Sequence, residues 1–104
     1  MAGPATTLRM SVPEFLRWDD GTRTRYQLVG GEPVAMAPPA DRHGRICGNA
    51  WGEIDRRLSS RPPCSGVVEA GIWIDDTNFL VADVAATCAP PSDDGRVADP
   101  FLIV

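Results

Sequence analysis

Apolar and polar positions along this chain follow two rhythms. From Gly66 to Thr87 the period is that of strands. Val67, Val68, Ile72, Trp73 and Ile74 are the β-branched and aromatic types that suit a pleated surface. Asp75-Asp76-Thr77-Asn78 is turn chemistry, because short polar side chains bond their own backbone. Phe79 to Thr87 then forms a second strand, and alternation sets Asp83 on the face of Phe79, Val81 and Ala85. From Asp41 to Leu58 the period is helical. Cys47, Ala50, Trp51, Ile54 and Leu58 form one stripe, and Arg42, Arg45, Asn49, Glu53 and Arg56 lie opposite. Gly44, Gly48 and Gly52 recur on the flank, each costing about 1 kcal/mol in helix propensity relative to alanine. Such a flank suits close contact with a sheet; chance spacing is the other account. Ser59 to Pro63 ends the helix.

Before the long helix the pattern is shorter. Residues 1–7 read as a frayed terminus. Ser11-Val12-Pro13-Glu14 is a capping box, with Met10 and Phe15 at staple spacing, so a short helix is expected from Val12 to Trp18. Asp19-Asp20-Gly21 turns the chain. Tyr26–Val29 and Pro33–Met36 are expected strands, joined at Gly30-Gly31 by a turn that needs positive φ. Ala37-Pro38-Pro39 closes that hairpin. Beyond Thr87 a loop rich in proline, aspartate and glycine leads to a last apolar strand, Phe101–Val104.

A length of 104 residues bounds the chain to one domain with a modest core. A hydrophobic fraction of 43% argues against disorder. The net charge of −4 speaks against a broad basic surface, though not against a nuclease with an acidic metal site and a local basic strip. All ten cationic side chains are arginine, so no lysine is present to act as a base. Cys47, Cys64 and Cys88 have no zinc-finger spacing and read as free thiols in a reducing cytoplasm. No signal peptide is evident, and no apolar run nears the ~20 residues of a membrane span.

Among candidate site residues Asp83 stands out, since an aspartate is poor strand material and costly to bury unpaired. It is a metal ligand or catalytic carboxylate, or else a strand aspartate satisfied by a backbone donor or an arginine. Glu69 joins it as a second carboxylate if the strands pair closely; Glu32, after the glycine turn, is either a further ligand or a solvated hairpin residue. Arg42, Arg45 and Arg56 form a strip able to touch phosphates, or an ordinary wet helix face. His43, the single histidine, lies four residues before Cys47. Two such residues can share a metal but do not make a site, and a packed histidine is the plainer expectation.

Several segments together resemble the Uma-type putative restriction endonucleases, a bacterial family similar to the PD-(D/E)XK nucleases. They are Ser11–Leu16, Tyr26–Glu32, Met36–Pro39 with Arg42-His43, Val81–Val84, and Val97–Pro100 leading into Phe101–Val104. The resemblance implies an α+β (α/β) class, a partial restriction-endonuclease-like fold. A long helix would pack on a mainly antiparallel sheet, with an added short helix and hairpin. It implies hydrolysis of DNA phosphodiesters with Mg²⁺ or Mn²⁺, DNA as partner with a homodimer left open, no membrane, and Asp83 as the metal-binding aspartate. Ala82 stands where the family has proline. The family's next Glu follows the strand ending here at Val104, with a Lys beyond it. The chain is therefore expected to be a C-terminally incomplete domain with half a metal site, inactive alone. The alternative is a non-catalytic remnant or interaction module on the same scaffold.

Overall fold

The computed structural model describes residues 8–38 and 40–104. The expected frayed residues 1–7, and Pro39 of the closing Ala-Pro-Pro segment, lie outside them. The elements in order are α1 (Val12–Arg17), β1 (Tyr26–Val29), β2 (Glu32–Ala35), α2 (Asp41–Leu58), β3 (Ser65–Asp75), β4 (Asn78–Thr87) and β5 (Pro100–Ile103). The hydrogen-bonded strand order is β2-β1-β4-β3, with β5 also pairing β4. The chain divides into two compact units, Met1–Ala37 with Trp73–Leu80, and Pro38–Ile72 with Val81–Val104.

The first unit is built from caps and turns. Ser11 accepts a hydrogen bond from the Glu14 amide at 3.3 Å and donates its own amide to Glu14 Oε1 at 3.2 Å, completing the capping box. Helix α1 stops one residue short of expectation, because Trp18 turns extended. Gly30 and Gly31 both take positive φ, 57° and 84°, so Val29 pairs Glu32 across a two-residue turn. This moves β2 one residue earlier than its hydrophobic pattern suggested. Gly31 is also a point of close approach, where a Cβ would sit 3.3 Å from the Met10 carbonyl oxygen. Leu28 lies opposite Phe79, and both are buried with Met10 and Val12. Phe15, Leu16, Trp18 and Trp73 close over this cluster.

In the second unit α2 meets β3 through Gly66 and β4 through Asp83. Trp51 Nε1 donates to the Gly66 carbonyl at 2.9 Å, and the Gly66 amide donates to Asp55 Oδ1 at 3.1 Å. A Cβ on Gly66 would meet Trp51 Cδ1 at 3.2 Å, so the indole rests directly on the backbone of β3. The helical stripe has the expected phase but little depth. Cys47, Ala50, Ile54 and Leu58 are half-buried and Trp51 is 38% exposed, whereas Arg42, Arg45 and Arg56 are in solvent. The buried centre is Ala70, Val84, Ala85 and Ala86.

The flanking glycines of α2 do not serve close contact, because a Cβ on Gly44, Gly48 or Gly52 meets nothing within 4 Å. Gly48→Ala is therefore expected to stabilise the chain by about 0.5–1 kcal/mol, the helix-propensity difference with no steric cost. A shift of the urea midpoint upward at constant slope would show it. A loss of stability would mean that something lies against this flank.

The cysteines depart from expectation. Cys64 and Cys88 form a disulfide, and only Cys47 among the described cysteines is free. The hairpin explains the pairing, since a two-residue turn folds β4 back along β3 and brings the residue before β3 near the residue after β4. Among the described residues no helix is long and apolar enough to cross a membrane.

Candidate metal centre

Helix α2 and strand β4 bring three ligand-type side chains together within the second unit. His43 and Cys47, four residues apart, lie on one face of the helix a turn from each other. Trp51 continues the same line, so its bond to Gly66 fixes the helix rotation that aims all three the same way. Asp83 comes from β4, where its amide donates to the Val104 carbonyl at 3.1 Å. Val104 in turn donates to the Val84 carbonyl at 2.8 Å, so the end of the chain steadies the backbone under Asp83.

His43 Nε2 stands 3.1 Å from Asp83 Oδ1 and 3.4 Å from Cys47 Sγ. The ligand atoms of the three residues all lie within 4.8 Å of one another. The His43 and Asp83 side chains are 50% and 52% exposed, so the cluster is open to water on one side. Cys47 is half-buried, and burial, followed by the charge of Asp83, pushes its thiol above the usual cysteine range. An isolated pair this exposed contributes little to stability, about 0–1 kcal/mol.

This arrangement corrects the expectation of a packed histidine, because His43 is half-exposed and reaches Asp83. The carboxylate of Asp83 thus meets an imidazole where an arginine was one of the expected partners. The other expected site residues are not among these three. Glu69, exposed on β3 with a left-handed φ of 50°, is not part of the cluster. Glu32 is in the first unit, 3.1 Å from Arg9. Arg45 pairs with Asp41 at 3.0 Å and Arg56 with Glu53 at 2.6 Å, all on the solvent face of α2 with Arg42. The sequence signal for His43 and Cys47 was their helical spacing; nothing local linked that pair to a strand forty residues on.

The donor set bears on which ion could sit there. Mg²⁺ and Mn²⁺ prefer carboxylate, carbonyl and water oxygens. Around Asp83 the described residues supply one carboxylate, one imidazole and one thiol. These residues do not fit Mg²⁺.

Comparison with known proteins bears on the fold and the family. The profile described as "Uma2: Putative restriction endonuclease" matches residues 12–104. A crystal structure of a putative nuclease belonging to DUF820 from Anabaena variabilis superposes with a TM-score of 0.67 at 20% sequence identity. The match covers 90% of this chain and 53% of that one, so the chain spans about half the length of that neighbour. No curated protein matches the sequence.

Proposed function

We propose, because the chain belongs to the Uma2 putative restriction endonuclease family, that it is part of a cytoplasmic nuclease acting on DNA, within a single restriction-endonuclease-like domain. Asp83 is then the carboxylate nearest the reacting phosphodiester. The observation that carries this reading is Asp83 itself, a half-exposed aspartate within the otherwise apolar run Phe79–Ala86 of β4. Nucleases of this kind are generally metal-dependent, and the ion supplies charge for the attacking water and the phosphate. Since the residues around Asp83 do not fit Mg²⁺, no step through that ion is assigned to this chain. Arg42, Arg45 and Arg56 are the proposed phosphate-binding residues. Arg45 and Arg56 would exchange exposed carboxylates for phosphate oxygens, at little cost given how weak such surface pairs are.

Two assays test the reading. The 104-residue chain is expected not to nick plasmid with Mg²⁺ or Mn²⁺, since one hard ligand and no lysine leave the ion weakly held. It is expected to bind labelled duplex in fluorescence anisotropy. The triple change Arg42→Ala, Arg45→Ala, Arg56→Ala should lower the salt slope by up to about 2.7, near 0.9 for each phosphate no longer neutralised. Equal binding by both proteins would remove the arginine face from the proposal, and no binding by either would remove DNA. One observation favours a second reading, an interaction module or homodimer. In the second unit Ile46, Phe101, Ile103 and Val104 are all exposed apolar side chains. A chain that self-associates and binds no duplex would support it.

A further inference from the structure

We propose that His43, Cys47 and Asp83 form a three-residue site for a borderline-soft divalent ion of the zinc type, with a fourth position open to water. The inference goes beyond DNA cleavage and is read by binding alone.

The donor set comes first. One imidazole nitrogen, one thiolate sulfur and one carboxylate oxygen is a combination that Zn²⁺ and Co²⁺ take readily and Mg²⁺ does not. Geometry follows. With ligand bonds of about 2.0–2.3 Å at tetrahedral angles, a zinc ion requires nitrogen and sulfur about 3.5 Å apart, and nitrogen and oxygen about 3.3 Å apart. The separations here are 3.4 Å and 3.1 Å. The sulfur and oxygen, within 4.8 Å of each other, have at most about an ångström to close. The backbone holds the ligands near these separations, because His43 and Cys47 are a turn apart on α2 and Asp83 is tied through β4 to Val104.

Charge agrees as well. On binding, the Cys47 thiol gives its proton to solvent, and thiolate and carboxylate together offset the dication. The half-exposed side chains leave a path for the ion and room for water at the fourth position. Three protein ligands with one open position is the pattern of catalytic rather than structural zinc sites. Because Asp83 belongs to both readings, such an ion would occupy the carboxylate assigned above to the nuclease.

The test is titration of the oxidised 104-residue chain with Co²⁺ alone, followed by absorption. The expected result is a thiolate-to-cobalt charge-transfer band with a tetrahedral ligand-field envelope, saturating at one equivalent, displaced by Zn²⁺ and untouched by excess Mg²⁺. Cys47→Ser should abolish the charge-transfer band. His43→Ala and Asp83→Asn should each weaken binding by more than the ~100-fold that loss of an outer-shell partner costs at most. The double change Cys64→Ser, Cys88→Ser should keep the band, which separates those sulfurs from the site. Circular dichroism checks that each variant is folded, and His43→Gln replaces His43→Ala if the latter is not. No band at millimolar Co²⁺, a band that survives Cys47→Ser, or displacement by Mg²⁺ would overturn the proposal. Plasmid nicking enters none of these outcomes, so this site and the nuclease reading can fail separately.

Discussion

Leu28→Ala is expected to cost about 3–4 kcal/mol and to unfold the first unit at ordinary temperature if its margin is small. Leu28 is fully buried, at 0% exposure. It lies on β1 between β2 and β4, opposite Phe79, in the one cluster that Met10 and Val12 also enter. Truncation removes the transfer free energy of its side chain and leaves a cavity that surrounding rings can fill only in part. Large-to-small changes at such sites cost about 2–5 kcal/mol, and domains of this size have only about 5–15 kcal/mol to lose. Leu28→Met keeps most of the volume and should cost less than about 1.5 kcal/mol. Val34→Ala, at an exposed position on β2, should stay within about 0.5 kcal/mol. Urea midpoints for the three variants give the ordering. An effect of Leu28→Ala as small as that of Val34→Ala would mean that the Met10–Val12–Leu28–Phe79 cluster is not the core of this unit.

What the sequence made legible follows the range of each signal. Ser11 and Glu14 announced the start of α1 because a capping box is complete within four residues. Gly30-Gly31 announced a turn because both positions need the left-handed backbone that glycine tolerates. The bounds of α2, Asp41–Leu58, could be read off because a polar start and a Ser-Ser-Arg-Pro-Pro stop enclose an unbroken period. Depth was not legible. The stripe of α2 gave its rotation but could not say that Trp51 would remain partly exposed, because depth depends on what covers the helix. The glycine spacing on α2 was equally silent. Gly44, Gly48 and Gly52 face open space, whereas Gly66, which no pattern singled out, takes the indole of Trp51. At the candidate centre the anomaly was local and its neighbours were not. Asp83 stood out within its own strand, but its approach to His43 depends on where α2 lies beside β4, and no short-range pattern encodes that. Strand alternation also failed within β3. Glu69 adopts a left-handed φ, Val68 and Glu69 are both exposed, and Ala70 and Gly71 are both buried.

Breaking the Cys64–Cys88 bond is expected to cost about 3–4 kcal/mol. The two cysteines are 24 residues apart and enclose the whole β3–β4 hairpin. In the chain-entropy account, cross-linking a loop of that length removes unfolded-state freedom worth somewhat more than the ~3 kcal/mol of a 15-residue loop. The pairing fits the local geometry. With Asp75 and Asn78 closing the turn, an unbroken ladder would set Cys64 opposite Ala89, one residue from the Cys88 it bonds. The second unit has particular need of such a tie, since its buried apolar side chains among the described residues are three alanines and Val84. Thiol titration in denaturant should find one reactive sulfur in the oxidised chain, that of Cys47, and three after reduction. Cys64→Ser with Cys88→Ser should lower the urea midpoint as much as reduction does. Reduction should leave that double variant unchanged. In any reducing compartment, where such bonds are rarely kept, the chain would be left in the less stable state. Three reactive thiols in the untreated protein, or an oxidised chain no more stable than the double variant, would show that these sulfurs lie side by side without a bond that matters to the fold.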